Sequence, residues 1–164
     1  LFAYEQYGVE PDIMTLAKGL GSGVPIGAFM AKDKASVFIP GEHGSTFGGN
    51  VLTCAASYAA VKYIIDNDIV GNVKSVGSYL ISGLEELKQK FDSITDVRGC
   101  GLLIAVEFSS DIAQSMLTAC LDGGLLINRL TPNTLRFMPP LIIGNEEVDE
   151  ALGILDKALS SVDN

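Results

Sequence analysis

Three short strings in this 164-residue chain carry side chains that could do chemistry. The first is Ile13-Met14-Thr15-Leu16-Ala17-Lys18-Gly19. Lys18 ends an apolar, strand-like run, a glycine follows at once, and no carboxylate lies within five residues. An ammonium among small apolar groups is disfavoured by desolvation, and the neutral amine that remains is a nucleophile. The same string also reads as a surface lysine at a strand terminus. The second, His43-Gly44-Ser45-Thr46-Phe47-Gly48-Gly49-Asn50, runs into a helix-like segment. Two hydroxyls, several glycines and a helix N-terminus suit an anion, phosphate above all. Read alone, the string is equally a helix-capping turn. It is not a P-loop, since no Gly-Lys-Ser/Thr is present. His43 reads as a hydrogen-bonding loop residue more than as a general base. The third is Arg136, one of only three arginines. Alternation over residues 134–138 sets Leu135 and Phe137 on one face and Arg136 on the other. A lone arginine there could grip a carboxylate bidentately, or point to water. Arg98, in Arg98-Gly99-Cys100-Gly101, reads as structural.

The elements that must position these groups follow from periodicity. Residues 12–17 and 27–31 read as short strands separated by a glycine loop. Val51 to Asn67 is alanine-rich and free of Gly and Pro, so it reads as a helix with Asn50 near its cap. Val73, Val76, Leu80, Leu84, Leu87 and Phe91 recur at spacings of three and four, the stripe of a second, long helix that Gly77 and Gly83 weaken slightly. Leu102 to Phe108 has strand texture. Ile112 to Leu121 reads as a short helix stopped by Gly123-Gly124. Residues 125–127 and 134–138 read as strands, the latter ended by Pro139-Pro140. Asn145-Glu146-Glu147 opens a last helix, with acids where the macrodipole favours them. Its buried stripe is Val148, Leu152, Leu155, Leu159 and Val162.

Composition narrows the function. Apolar residues make up 48% and the mean hydropathy is +0.33, enough for a core. Charged residues are only 19%, which suggests that part of the surface meets something else. A net charge of -9 repels phosphate backbones and anionic lipid, so nucleic-acid and membrane-surface roles are not expected. No apolar run reaches the ~18 residues of a spanning helix. Three dispersed cysteines and one histidine leave no His/Cys metal site, and the bland reading of Cys54, Cys100 and Cys120 is buried reduced thiols. Residues 1–48 resemble a piece of sheet lacking most of its strands, and the chain lacks an initial Met. The chain is therefore expected to be the tail of something longer.

Taken together the strings resemble a known family. Pro11-Asp12-Ile13-Met14-Thr15-Leu16-Ala17-Lys18-Gly19-Leu20-Gly21, continued by Gly23-Val24-Pro25-Ile26-Gly27-Ala28, is similar to the lysine motif of class III pyridoxal-phosphate aminotransferases. Gly41-Glu42-His43-Gly44-Ser45-Thr46-Phe47-Gly48-Gly49-Asn50 resembles that family's phosphate-contacting loop. Arg98-Gly99-Cys100-Gly101-Leu102 and Leu135-Arg136-Phe137-Met138-Pro139-Pro140-Leu141 match later motifs in the right order. Val51 departs from the proline more usual there, at a helix position where proline is favoured but not needed.

The resemblance implies an α/β fold, the C-terminal part of a fold-type I pyridoxal-phosphate-dependent transferase. Residues 1–67 would end the large cofactor-binding domain, 68–92 would be a connecting helix, and 93–164 a small α+β domain. It implies pyridoxal 5'-phosphate as cofactor, with Lys18 as catalytic residue and covalent attachment point. Thr46 would contact the cofactor phosphate, across the interface of a homodimer. Ser45 would lie beside the substrate, and Arg136 would hold a substrate carboxylate. No metal is implied. The partners would be a small-molecule amino acid and an oxo acid, with N-acetylornithine and 2-oxoglutarate as the leading pair, in cytoplasmic arginine biosynthesis. Ornithine or another ω-amino acid is the alternative donor. The carboxylate, aromatic ring and first phosphate loop that complete such a site would lie upstream of Leu1, so the isolated chain is expected to be inactive or nearly so. A non-catalytic dimerisation or phosphate-binding module is the reading from another class.

Overall fold

A computed structural model describes residues 1–162. The chain divides into two compact units, residues 1–68 and 69–164. Each unit is described by itself.

The first unit opens with a five-residue helix, α1 (Ala3–Tyr7), for which the sequence carries no clear signal. Strand β1 (Ile13–Leu16) follows, then a 3-10 turn over Lys18–Gly21, then β2 (Ala28–Ala31). The two strands pair antiparallel, Ile13 opposite Ala31 and Leu16 opposite Ala28. A second 3-10 turn, Asp33–Ala35, leads into the His43–Asn50 loop, and α2 (Val51–Asp66) closes the unit. Asn50 caps α2 as expected: its Oδ1 accepts from Thr53 N–H at 3.2 Å. No large apolar side chain is buried among residues 1–68. Phe29, Phe38, Phe47 and Tyr58 all stand more than half exposed. Two short strands cannot cover both faces with a single helix, so most apolar groups of this unit meet solvent.

The second unit has a complete core. Its long helix α3 (Ile69–Lys90) buries Val76, Leu80, Leu84 and Leu87, the stripe read from the sequence. Strands β3 (Ile94–Cys100) and β4 (Leu103–Phe108) form a hairpin closed by Gly101-Leu102. Helix α4 (Ala113–Asp122) ends at Gly123-Gly124, with Gly124 left-handed at φ +92°. Strands β5 (Asn128–Thr131) and β6 (Thr134–Phe137) complete an antiparallel sheet in the order β3-β4-β6-β5. The expected strand over 125–127 is thus displaced. Those residues form the approach, and pairing begins only at Asn128, opposite Arg136. Helix α5 (Asn145–Val162) packs on α3 and α4. One face of the sheet, Ile104, Val106, Phe108, Leu135 and Phe137, joins the helix stripes in one apolar core.

Glycines 77 and 83 sit where α3 is crossed most closely. A Cβ at Gly77 would stand 2.3 Å from the Gly101 carbonyl oxygen, and one at Gly83 would stand 2.2 Å from Leu152 Cδ1. They are contact points of the packing, not lapses in the helix.

The cysteine expectation needs correction. Cys120 is fully buried, but Cys54 and Cys100 are exposed. Cys54 lies on an outward position of α2, and Cys100 at the hairpin end of β3. Burial pushes the Cys120 thiol up to about 11. The neutral thiol is then favoured by folding, so this contribution is complete below the unfolded thiol's pKa and is lost as pH climbs toward 11. At neutral pH a maleimide should label Cys54 and Cys100 quickly, and Cys120 only after unfolding. Equal labelling rates by mass spectrometry would contradict the burial.

Candidate functional site

Lys18 is placed by a strand and a turn. β1 delivers the chain to Ala17, still fully extended, and the backbone then folds sharply. Leu20 N–H donates to the Ala17 carbonyl at 3.1 Å, and Ser22 N–H to that of Gly19 at 3.2 Å. Within this turn Lys18 adopts a left-handed conformation, φ +53°. Lysine rarely occupies that region, and such strain concentrates at functional sites. Two contacts hold the turn in place. A Cβ on the buried Gly21 would meet Ile26 Cγ2 at 2.9 Å, so the chain after the turn closes tightly over it. Helix α2, whose least exposed residues include Ser57, packs on the same turn.

The Lys18 side chain itself is exposed. The desolvation expected from its apolar neighbours in sequence is therefore absent from this chain. Leu16 and Met14 are only half-buried. What the structure does supply is a fixed backbone stem and free space. A Cβ at Gly19 would find no atom within 4 Å.

Ser45 and Thr46 lie in the first of two consecutive turns that feed α2. Gly48 N–H donates to the Ser45 carbonyl at 3.1 Å, and Asn50 N–H to that of Phe47 at 3.3 Å. Both hydroxyl residues are exposed. The helix behind them is already capped by Asn50, so its N-terminus would bind an anion with the donors Asn50 leaves over. His43 stacks on Phe38, with ring centroids 5.6 Å apart.

Arg136 belongs to the second unit. Its neighbours Leu135 and Phe137 are buried and Arg136 is half-buried on the opposite face, as the alternation predicts. Its Nη2 donates to Asn128 Oδ1 at a long 3.4 Å. Its Nε is buried with no hydrogen-bond partner, and no carboxylate pairs with it among the described residues. A buried N–H without an acceptor is costly, so this guanidinium keeps unspent donor capacity of the kind a carboxylate satisfies. Arg98 presents the opposite case. Its Nη1 lies 2.6 Å from Asp96 and 2.7 Å from Glu107. Those bonds, Asp96's first, raise its pKa further. The pairing of Arg98 with Asp96 and Glu107, and the amide of Asn128 against Arg136, are features that motif reading missed. Sheet register was the missing information.

The donor set fits a phosphorylated aldehyde. Lys18 offers a primary amine with space around it, and Thr46 and Ser45 offer hydroxyls at a helix start. Among the described residues no cluster of His, Cys, Asp or Glu could hold a metal ion. A mixed α/β chain with a lysine on a strained turn after a strand, a hydroxyl–glycine loop into a helix, and an arginine on a small sheet is a segment of a pyridoxal-phosphate-dependent aminotransferase fold. The chain belongs to the aminotransferase class-III family, whose model matches residues 1–159.

Individual relatives agree. An acetylornithine aminotransferase from Caldanaerobacter subterraneus subsp. tengcongensis is 49% identical over 162 residues, covering 99% of this chain and 41% of that protein. The crystal structure of acetylornithine aminotransferase from Elizabethkingia anophelis superposes with a TM-score of 0.90 at 36% identity, over 97% of this chain and 41% of that one. Plasmodium falciparum ornithine delta-aminotransferase gives a TM-score of 0.89, also at 36% identity, over 98% of this chain and 43% of that one. The chain thus spans about two fifths of the length of the relatives it matches.

Proposed function

We propose that this chain is the lysine-bearing and arginine-bearing segment of an enzyme that moves an amino group between N-acetylornithine and 2-oxoglutarate, in cytoplasmic arginine biosynthesis. The observation that carries the reading is Lys18, an amine held at φ +53° on a turn that Gly21 and α2 lock in place. The 49% identity to an acetylornithine aminotransferase supports this choice of donor. Residues 1–67 act as part of the cofactor-binding domain, 68–92 as its connecting helix and 93–164 as the small domain.

Pyridoxal 5'-phosphate, when bound, withdraws electrons from the substrate carbon and so makes its proton removable. The rest is done by residues of this chain. Lys18 Nζ would hold the cofactor through its aldehyde carbon. The same Nζ would take up the proton from the substrate carbon and later give it back, acting as base and then as acid. The stiff stem matters, because a proton carrier must stay within hydrogen-bond reach of both atoms. Thr46 would hold the phosphate of a partner subunit's cofactor in a homodimer, and Ser45 would lie beside the substrate. The Arg136 guanidinium would grip a carboxylate of glutamate or 2-oxoglutarate through its free N–H donors.

Arg136→Gln in the intact protein is expected to raise KM for 2-oxoglutarate about 100-fold, corresponding to ~3 kcal/mol for a charge-assisted bidentate contact. An unchanged KM would remove Arg136 from the site. Ornithine as donor is the second reading, favoured by the likeness to the Plasmodium falciparum enzyme. Rates with N-acetylornithine and ornithine, compared in the intact protein, decide between them. A non-catalytic module would show turnover with neither.

A further inference from the structure

The register of the four-stranded sheet sets up a competition that motif reading cannot reveal. Arg98, Ala105, Arg136 and Asn128 are successive cross-strand partners, so they form one row straight across the sheet. Neighbouring strands are about 4.8 Å apart, which puts the two arginines two strands, or roughly 10 Å, from each other. The next row along the same face is Asp96, Glu107 and Thr134. Glu107 stands on the central strand β4, and by register it is diagonal to both arginines. Diagonal neighbours about 7–8 Å apart are within reach of long side chains. Glu107 could therefore close on either guanidinium. In the structure it is committed to Arg98, whose Nη1 also holds Asp96. Arg136 is left with a neutral amide, Asn128, on one nitrogen and an unpartnered, buried Nε. An amide steadies a guanidinium without cancelling its charge, as a carboxylate would.

We propose that Arg98 is a positioning residue which keeps Arg136 open to a ligand carboxylate by sequestering Glu107. The proposal rests on the reading that Arg136 receives that carboxylate. Without Arg98, the Glu107 carboxylate turns to the nearest unpaired cation, Arg136, and competes with the ligand for the same edge. Asp96 lies two strands from Arg136 and cannot replace it in that role.

The test uses the intact protein and a dicarboxylate that cannot react, glutarate, with its Kd measured by calorimetry. Arg98→Gln should weaken glutarate about ten-fold, and should raise KM for 2-oxoglutarate by a similar factor while kcat changes little. The double variant Arg98→Gln/Glu107→Gln should bind glutarate within two-fold of the parent, because the competitor is gone. Glu107→Gln alone should bind as well as the parent or more tightly. Unchanged affinity in Arg98→Gln, or no recovery in the double variant, would overturn the proposal, and so would an Arg98→Gln loss of affinity that tracks a lowered unfolding midpoint, the mark of a merely structural pair. If Arg98→Gln does not fold, Arg98→Lys is used in its place. A single ammonium grips two carboxylates poorly, so partial weakening, again relieved by Glu107→Gln, is the expected result. Arg136→Gln is the control that separates the two ideas. If it leaves glutarate binding intact, the carboxylate role of Arg136 has failed. If it abolishes binding while Arg98→Gln does nothing, only the role of Arg98 has failed.

Discussion

Lys18→Ala in the intact protein is expected to lower transamination by on the order of 10^3-fold or more, because one amine serves as both attachment point and proton carrier. The substitution is clean with respect to the backbone. Alanine at φ +53° bears much the same left-handed strain as lysine, so the turn over residues 18–21 is perturbed little and the loss reports on the amine. The decisive measurement is chemical. Borohydride reduction of the cofactor-loaded parent should fix the cofactor to the peptide containing Lys18, and the variant should yield no such adduct. Turnover near the parent's level in Lys18→Ala, or an adduct on another lysine, would end the assignment. The exposure of Lys18 in this chain makes the experiment necessary in the intact protein, where the rest of the site can cover the amine.

The second large effect concerns stability. Gly77→Ala should destabilise residues 69–162 by about 3 kcal/mol, the upper range for forcing a group into a packed crossing. A Cβ there would lie 2.3, 2.5 and 2.8 Å from the carbonyl oxygen, carbonyl carbon and Cα of Gly101. All three are backbone atoms, at the tip of the β3–β4 hairpin, where Gly101 itself holds φ +57°. No rotamer change can relieve the overlap, so helix and hairpin must separate. Gly153→Ala makes the opposite prediction for the same chemical change. Gly153 is exposed within α5, with open space where its Cβ would be, so alanine should stabilise by about 1 kcal/mol through helix propensity. Thermal unfolding of the two variants beside the parent should give shifts of opposite sign. A Gly77→Ala midpoint equal to that of the parent would mean that the crossing is looser than the structure has it.

Much of this protein was legible from residue order. The stripes of α3 and α5, the cap at Asn50, the stop at Gly123-Gly124 and the inward Leu135 and Phe137 are local matters of period and backbone preference, which neighbouring residues decide among themselves. So was the family, through the lysine, hydroxyl–glycine and arginine motifs in series. Position in the fold was a different matter. Sequence treats Gly77 and Gly83 as weak points in a helix, and only the crossings with Gly101 and Leu152 explain them. It leaves Lys18 among apolar neighbours in the chain, while in space two strands and one helix leave it exposed. It treats three cysteines alike, and packing buries only Cys120.

The two arginines mark the boundary most plainly. Arg98 stands between Val97 and Gly99 in β3 and Arg136 between Leu135 and Phe137 in β6, and the register sets both in one row on the face away from the core. The pairing of β3 with β4 and of β6 with β5 gives Arg98 two carboxylates and Arg136 an amide. Side-chain periodicity is a property of one strand, but charge pairing depends on which strands lie side by side, and in what register. Residue order therefore determined the long helices, most of the strands and which residues are candidates for chemistry. Tertiary contact alone decided which of those residues are paired within the chain and which are not.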